Sequence, residues 1–234
     1  MKINSNIPDA YQKGWVEFYK LKFKVTPDVL IPRPETELLV DAVLERIKYK
    51  ESGIKGNGIM VLDIGTGSGA IAISVAKNLT SGVRVKIIAT DISAKALKIA
   101  KQNAKLHRVE DKITFKQSNL LTKISYTLIP KTCTLIIVTN LPYIPTDRIA
   151  YLDSSVKDFE PFIALDGGED GFQLYRKLFS QIIKKGLKPK LIVGEIDYTQ
   201  GETAIYEGQK YFPEANVEVK KDLAHLQRIL NISS

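Results

Sequence analysis

Two short strings in this chain combine residue types that can do chemistry: Asp63-Ile64-Gly65-Thr66-Gly67-Ser68-Gly69 and Asn140-Leu141-Pro142-Tyr143. The first follows an apolar run. Its alternating glycines let the backbone turn sharply, approach a ligand closely and enter a helix near Ser68, whose N-terminus then faces that ligand. Gly65, Gly67 and Ala70 also meet the small-residue spacing of a dinucleotide fingerprint, so the loop by itself admits a nicotinamide cofactor or S-adenosylmethionine. Asp91 ends the next apolar run, with Ile92 behind it; a carboxylate there can accept both ribose hydroxyl protons of either cofactor. The plain alternative is a tight turn followed by a helix-capping Asp91, but strand, loop, helix and acid occur in the order cofactor binding needs. Asn119 can contact an adenine, with Leu120 along the same edge, or can be a simple turn residue.

The second string follows the apolar run Leu135–Val138, which puts Asn140 at the carboxyl edge of a parallel sheet, on the same side as the glycine loop. The Asn140 side-chain oxygen can accept one proton of a planar NH2 group and the Leu141 backbone carbonyl the other. Pro142 fixes the turn, and Tyr143 offers an aromatic face. An amide or arylamine nitrogen is a poor nucleophile because its lone pair is delocalised. Two acceptors aimed at its protons favour the charge that develops as it attacks, an effect typically worth about 10²–10³ in rate. Read alone, the tetrapeptide is as easily an ordinary strand-to-loop turn. Beside the glycine loop, it points to S-adenosylmethionine-dependent methylation of an amide or exocyclic amine nitrogen.

The elements that must position these strings follow from alternating apolar runs and amphipathic stretches, the pattern of repeated βα units and a mainly parallel sheet. Strands are expected at Ile59–Ile64, Val83–Thr90, Lys112–Gln117, Thr134–Thr139 and Leu191–Ile196, with an antiparallel pair at Asn216–Lys220 and Leu226–Asn231. Helices are expected over Ser68–Leu79, Ser93–Leu106 and Gly171–Lys185. Ahead of the sheet, Trp15–Tyr19 and Leu21–Val25 read as a hairpin. A helix begins around Pro32-Arg33-Pro34-Glu35-Thr36, with Pro34 in its first turn, and runs to about Lys50. Gly53, Gly56 and Gly58 make a joint into the first sheet strand, dividing an appendage over residues 1–52 from a catalytic domain over residues 53–234.

Composition narrows the function classes. A chain of 234 residues buries enough surface to need no disulfide or metal staple. Its single cysteine, Cys133, excludes an intrachain disulfide, and its two histidines, His107 and His225, argue against a metal site or His-based catalysis. The N-terminus lacks a signal-peptide pattern and no stretch approaches membrane-spanning length, so a soluble cytoplasmic protein is expected. The net charge of +8, with lysines concentrated at 95–105, 184–190 and 220–221, suits either an acidic partner such as RNA or the ribosome, or a solvated lysine-rich surface.

Across most of residues 15–230 the chain resembles the HemK/PrmC-type protein-(glutamine-N5) methyltransferases. The matching segments are Val29 through Glu37, Val61–Ala70, Asp91-Ile92-Ser93, Asn140–Pro145, and Glu160-Pro161 through Ala164-Leu165-Asp166-Gly167-Gly168 to Asp170-Gly171. The resemblance implies a class I S-adenosylmethionine-dependent methyltransferase fold, Rossmann-like, with a seven-stranded mainly parallel sheet and an antiparallel last strand. It also implies methylation of the glutamine in the Gly-Gly-Gln motif of peptide chain release factors. It puts S-adenosylmethionine on Asp63, Gly65, Thr66, Gly67, Ser68, Gly69, Asp91, Ile92, Asn119 and Leu120, with Asn140 shared. The substrate amide falls on Asn140, Leu141, Pro142 and Tyr143, with Arg33 and Glu35 as lid or substrate contacts, unless those two form only salt bridges.

The family usually has a proline where Leu141 stands and an aspartate where Asn119 stands. Asn-Leu-Pro-Tyr is the form seen in ribosomal RNA adenine dimethyltransferases, which keeps adenine-N6 methylation of RNA or DNA as the alternative. A nicotinamide-dependent dehydrogenase is more distant, since no hydride-site acid or base is evident. Family members usually carry a helical domain ahead of the hairpin, so a partner protein in its place is a further expectation. For the glycines of Ala164–Gly171 a structural role is expected, and no catalytic one for Asp166 or Asp170.

Overall fold

A computed structural model describes residues 6–51, 58–79, 84–125, 129–130 and 133–234. Five apolar runs become parallel strands: β3 (Ile59–Ile64), β4 (Val85–Asp91), β5 (Ile113–Gln117), β6 (Thr134–Thr139) and β7 (Leu191–Glu195). All six residues of β3 and of β6 are buried, which is why they read as continuous apolar runs and not as alternation. The two faces still separate. Ile59, Val61, Ile136 and Val138 belong to one core, and Met60, Leu62, Leu135 and Ile137 to the other.

Two further strands, β8 (Asn216–Lys221) and β9 (Gln227–Ser233), complete a seven-stranded sheet of order β5-β4-β3-β6-β7-β9-β8. Only β9 runs against its neighbours, pairing antiparallel with both β7 and β8. The chain winds outward in one direction through β4 and β5 and in the other through β6 and β7. The reversal lies between β3 and β6, where open α/β sheets form their ligand crevice.

On one face pack α2 (Glu37–Glu51), α3 (Ala70–Lys77) and the small hairpin of β1 (Trp15–Phe18) and β2 (Leu21–Lys24); on the other lies α6 (Gln173–Lys184). A short α1 (Asp9–Lys13) precedes the hairpin, α4 (Ala94–Leu106) follows β4, α5 (Ser154–Lys157) lies between β6 and α6, and α7 (Gly201–Tyr211) lies against β8. Pro34 starts a 3-10 turn over Pro34–Thr36 that leads into α2, so the expected single helix has a tighter first turn. Phe18 and Phe23 of the hairpin and Leu39, Val40 and Val43 of α2 share one apolar core with Val61 and Val138. The expected boundary at residues 52 and 53 falls outside the described residues. No described helix is long and apolar enough to cross a membrane.

Candidate active site

The candidate cofactor and amide residues leave the same edge of the sheet, Gly65 after β3, Asp91 at the end of β4, Asn119 after β5 and Asn140 after β6, while Arg33 and Glu35 lie in the segment ahead of α2. The glycine loop is held from behind. The N–H groups of Gly65 and Thr66 both donate to the Thr90 carbonyl, and Thr139 Oγ1 donates to the Ile64 carbonyl at 2.6 Å, tying the ends of β3, β4 and β6 together. Gly65, Gly67 and Gly69 all have positive φ, which L side chains adopt only with strain. At Gly69 a Cβ would also overlap Ile73 and press on Ala100, so glycine there lets α3 and α4 meet. At Gly67 the same test meets nothing within 4 Å. That open face belongs to a cavity of about 480 Å³.

Of the candidate residues, Gly65, Thr66, Gly67, Ser68, Asp91, Ile92, Asn119, Leu120, Asn140, Leu141 and Pro142 all line this one cavity. Thr36, Asp28 through Leu30, and Pro161 through Ala164 line it as well. Asp63, Gly69, Tyr143, Arg33 and Glu35 are not among the lining residues. The geometry of four of these five is informative. Asp63 is wholly buried beneath the loop, where its Oδ2 accepts from Thr66 Oγ1 at 2.6 Å and from the Ala72 N–H at 3.1 Å. Arg33 forms an ion pair with the buried Glu160, whose other oxygen takes the Ile31 N–H, so the two cavity-lining segments are cross-tied. Tyr143 turns its hydroxyl to Glu195, and Gly69 serves the helix contact already described.

Asp91 is bound on both oxygens by backbone: Oδ2 accepts from the Gly67 N–H and Oδ1 from the Ser93 N–H, each at 2.8 Å. One carboxylate therefore links the glycine loop to the start of α4, and burial raises its pKa above the usual carboxylate range. Each oxygen retains a second lone pair for a ligand hydroxyl.

Burial pushes the Asp63 carboxyl further, up to about 7, against the lowering effect of its bonds from Thr66 and Ala72 and with a small further push from Asp91. Its Oδ1 is buried and has no hydrogen-bond partner among the described residues. Between the unfolded value of 3.8 and about 7 the folded protein binds more protons than the unfolded chain, so this group's stabilising contribution is full below 3.8 and is lost as pH rises through about 7. The expected result is that Asp63→Asn flattens that fall. Denaturant titrations of both proteins at pH 5 and pH 8 should show the wild type losing up to roughly 2.6 kcal/mol more than the variant. Parallel curves would refute the assignment.

Asn140 reveals a network that the sequence reading missed. Its Nδ2 donates to Thr36 Oγ1 at 3.0 Å, Thr36 Oγ1 donates to Glu195 Oε2 at 2.6 Å, and Glu195 Oε1 accepts from the Tyr143 hydroxyl at 3.0 Å. Glu195 is 1% exposed and ends β7, so the fifth parallel strand also delivers a residue to the site edge. An acid closing the apolar run Leu191–Gly194 was the available signal. With Nδ2 engaged, Asn140 Oδ1 has no partner among the described residues.

The loop after Asn140 is gripped from the far side by the segment from Leu165 to Gly171. The Ile144 N–H donates to the Leu165 carbonyl, the Gly167 N–H to the Ile144 carbonyl and the Thr146 N–H to the Gly168 carbonyl, while Asp166 accepts from Thr146 Oγ1 at 2.6 Å. A Cβ at Gly167 would overlap the Pro142 carbonyl oxygen, and one at Gly171 would overlap that of Tyr143. These glycines are there for close approach.

Comparison with known proteins agrees with this geometry. A methyltransferase domain family matches residues 55–156. Over 231 residues the chain is 36% identical to the release factor glutamine methyltransferase of Lactococcus lactis subsp. lactis (strain IL1403), covering 99% of this chain and 79% of that protein. It is 39% identical over 227 residues to the release factor glutamine methyltransferase of Clostridium acetobutylicum, covering 96% and 74%. Among solved structures, the N-terminal domain of human METTL16 in complex with SAH superposes with a TM-score of 0.62 at 14% identity, covering 92% of this chain and 76% of that one, a likeness of fold.

Proposed function

Because the chain belongs to the release factor glutamine methyltransferase family, we propose that it methylates the side-chain amide of a release factor glutamine, using S-adenosylmethionine, in the cavity shared by Gly65–Ser68 and Asn140–Pro142. The observation that carries this reading is Asn140, held by its Nδ2 to Thr36 at the cavity wall and retaining an acceptor oxygen with no partner among the described residues. A planar NH2 group needs acceptors, and this site supplies one whose orientation is set before the substrate arrives.

The residues fit the cofactor. Gly67 leaves open the space a side chain would fill, Asp91 stands beside it with lone pairs for ribose hydroxyls, and Ile92, Asn119 and Leu120 continue the wall toward where an adenine would lie. Asp63 and Gly69 act by shaping the loop from beneath. When bound, the cofactor supplies an electrophilic methyl group on a sulfonium.

The rest is the work of this chain. Asn140 Oδ1 and the Leu141 carbonyl accept the two amide protons, which draws electron density onto the nitrogen and turns its lone pair toward the methyl group. Asn140 and Leu141 would hold the nitrogen in place while the bound cofactor supplied its methyl group, and one nitrogen-bound proton would then leave to solvent. No prior deprotonation is needed. The buried Leu141 side chain packs near Gly65 and holds the two motifs in contact. Arg33 ties two cavity-lining segments together through Glu160, and Glu35 acts electrostatically on Glu195. The lysine face of α4, Lys98, Lys101 and Lys105, supports a salt-sensitive contact with ribosomal RNA during the cytoplasmic encounter with the release factor.

The test is transfer of labelled methyl groups from S-adenosylmethionine to purified release factor and to ribosomal RNA, side by side, with mass spectrometry locating the product. Methylation of the Gly-Gly-Gln glutamine is the expected result. Label confined to RNA adenine would overturn the substrate assignment.

A further inference from the structure

The chain from the half-buried Asn140 through the buried Thr36 to the buried Glu195 is a hydrogen-bond relay with two self-consistent orders, and only one of them presents an acceptor to the substrate. With Glu195 ionised, both its oxygens are acceptors; Thr36 must donate to it, the Thr36 oxygen must then accept from Asn140 Nδ2, and Asn140 Oδ1 is the atom left for the ligand. With a donor at position 195, the Thr36 hydroxyl is free to point at Asn140, whose amide turns over and offers N–H groups instead. From this geometry we infer that Glu195 is a positioning residue: its carboxylate sets the flip state of Asn140 and thereby selects an amide over a carboxylate in the substrate position. The inference rests on the glutamine-methylation reading and deepens it.

Three features make Glu195 suited to this work. It is rigidly seated, since Tyr143 donates to its second oxygen and the Tyr175 hydroxyl donates at 2.5 Å to its backbone carbonyl. It is out of water, so its directional preference is not averaged by solvent exchange. It connects residues remote in sequence: Thr36 lies before α2, and Asn140 and Tyr143 follow β6.

The charged and titratable groups acting on it are Arg228 from β9, which favours the ionised form, Glu35 from the 3-10 turn, which opposes it, Tyr143 from the loop after β6 and Tyr175 from α6. Burial raises the Glu195 pKa, so on acidification this carboxylate protonates before an exposed one does, which converts an acceptor into a donor and throws the relay. Turnover should therefore fall as pH drops through that raised value.

The experiment uses wild type, Glu195→Gln, Thr36→Val and Thr36→Ser, each checked for folding and for S-adenosylmethionine affinity. Substrates are release factor carrying Gly-Gly-Gln and a Gly-Gly-Glu version as a binding competitor. Wild-type labelling of the glutamine tests the functional reading itself; the variants test the relay. In Glu195→Gln, kcat should fall at least about tenfold, less than removal of the Asn140 oxygen would cause, and the acid limb of the pH profile should disappear. The ratio of glutamine to glutamate affinity should drop by about tenfold or more, a readout that loose packing alone would not move in this direction. Thr36→Val keeps the carboxylate charge while cutting the relay and should also lose the preference; Thr36→Ser should restore it. Should Glu195→Gln not fold, the Thr36 pair decides alone. Equal turnover and equal glutamine preference in Thr36→Val and Thr36→Ser, with wild type labelling glutamine normally, would overturn the relay and leave the functional reading standing.

Discussion

Asn140→Ala is expected to lower kcat by about 10²–10³ while leaving the dissociation constant for S-adenosylmethionine within about threefold. The expectation follows from where the side chain is tied. Its Nδ2 is fixed to Thr36 and its Oδ1 has no partner among the described residues, so on the proposed reading the truncation removes an acceptor aimed at the attacking nitrogen. Cofactor affinity is expected to rest mainly on the glycine loop and Asp91, which Thr90 and Ser93 continue to hold in shape. Single-turnover rates with cofactor and release factor both saturating separate the two effects. Near-normal methyl transfer would remove Asn140 from the chemistry; a large loss of cofactor affinity with little change in rate would move it to the cofactor side.

The second large effect is expected at Asp91. Charge-assisted hydrogen bonds contribute about 1.5–3 kcal/mol, so Asp91→Ala should raise the dissociation constant for S-adenosylmethionine by roughly 10- to 150-fold. Because Asp91 also accepts the Gly67 and Ser93 N–H groups, part of that loss comes through the loop. Asp91→Asn separates the parts. It preserves the size of the group but presents an NH2 to one backbone N–H, so it should disturb the loop while retaining one acceptor for the ribose. Calorimetry on the cofactor, paired with thermal unfolding of the free protein, reads the two contributions separately. Unchanged affinity in a folded Asp91→Ala protein would refute a ribose role.

What the sequence made legible was the sheet edge. Buried parallel strands announce themselves as apolar runs, and the residue after each run lands at the same edge, so the sequence alone brings Gly65, Asp91, Asn119 and Asn140 together. Pairings across long stretches of chain stayed hidden. Thr36 meets Glu195 across 159 positions and Arg33 meets Glu160 across 127, and no local pattern encodes such contacts. Of the expected site residues, Tyr143 was read for its ring, whereas its hydroxyl bond to Glu195 depends on the end of another strand. Helix α7 was missed for a local reason. Gly201 and Gly208 weaken its helical signal, but a Cβ at Gly208 would overlap Val217 of β8, so the residue is a packing choice written in a helix-breaking letter. Helix α6 starts at Gln173, two residues later than expected, because Asp170 accepts the Phe172 N–H and holds the preceding turn open.

The fit between the Pro142 and Tyr143 carbonyls and the glycines at 167 and 171 bears on how portable this pocket is. A tetrapeptide grafted onto another strand end would bring the side chains of Asn140 and Tyr143 but not the side-chain-free surface on which its backbone rests. Transplants should therefore travel as a two-part cassette, the stretch from Thr139 to Thr146 together with that from Leu165 to Gly171. A library that randomises either half alone should return glycine at 167 and 171 however freely the neighbouring positions drift.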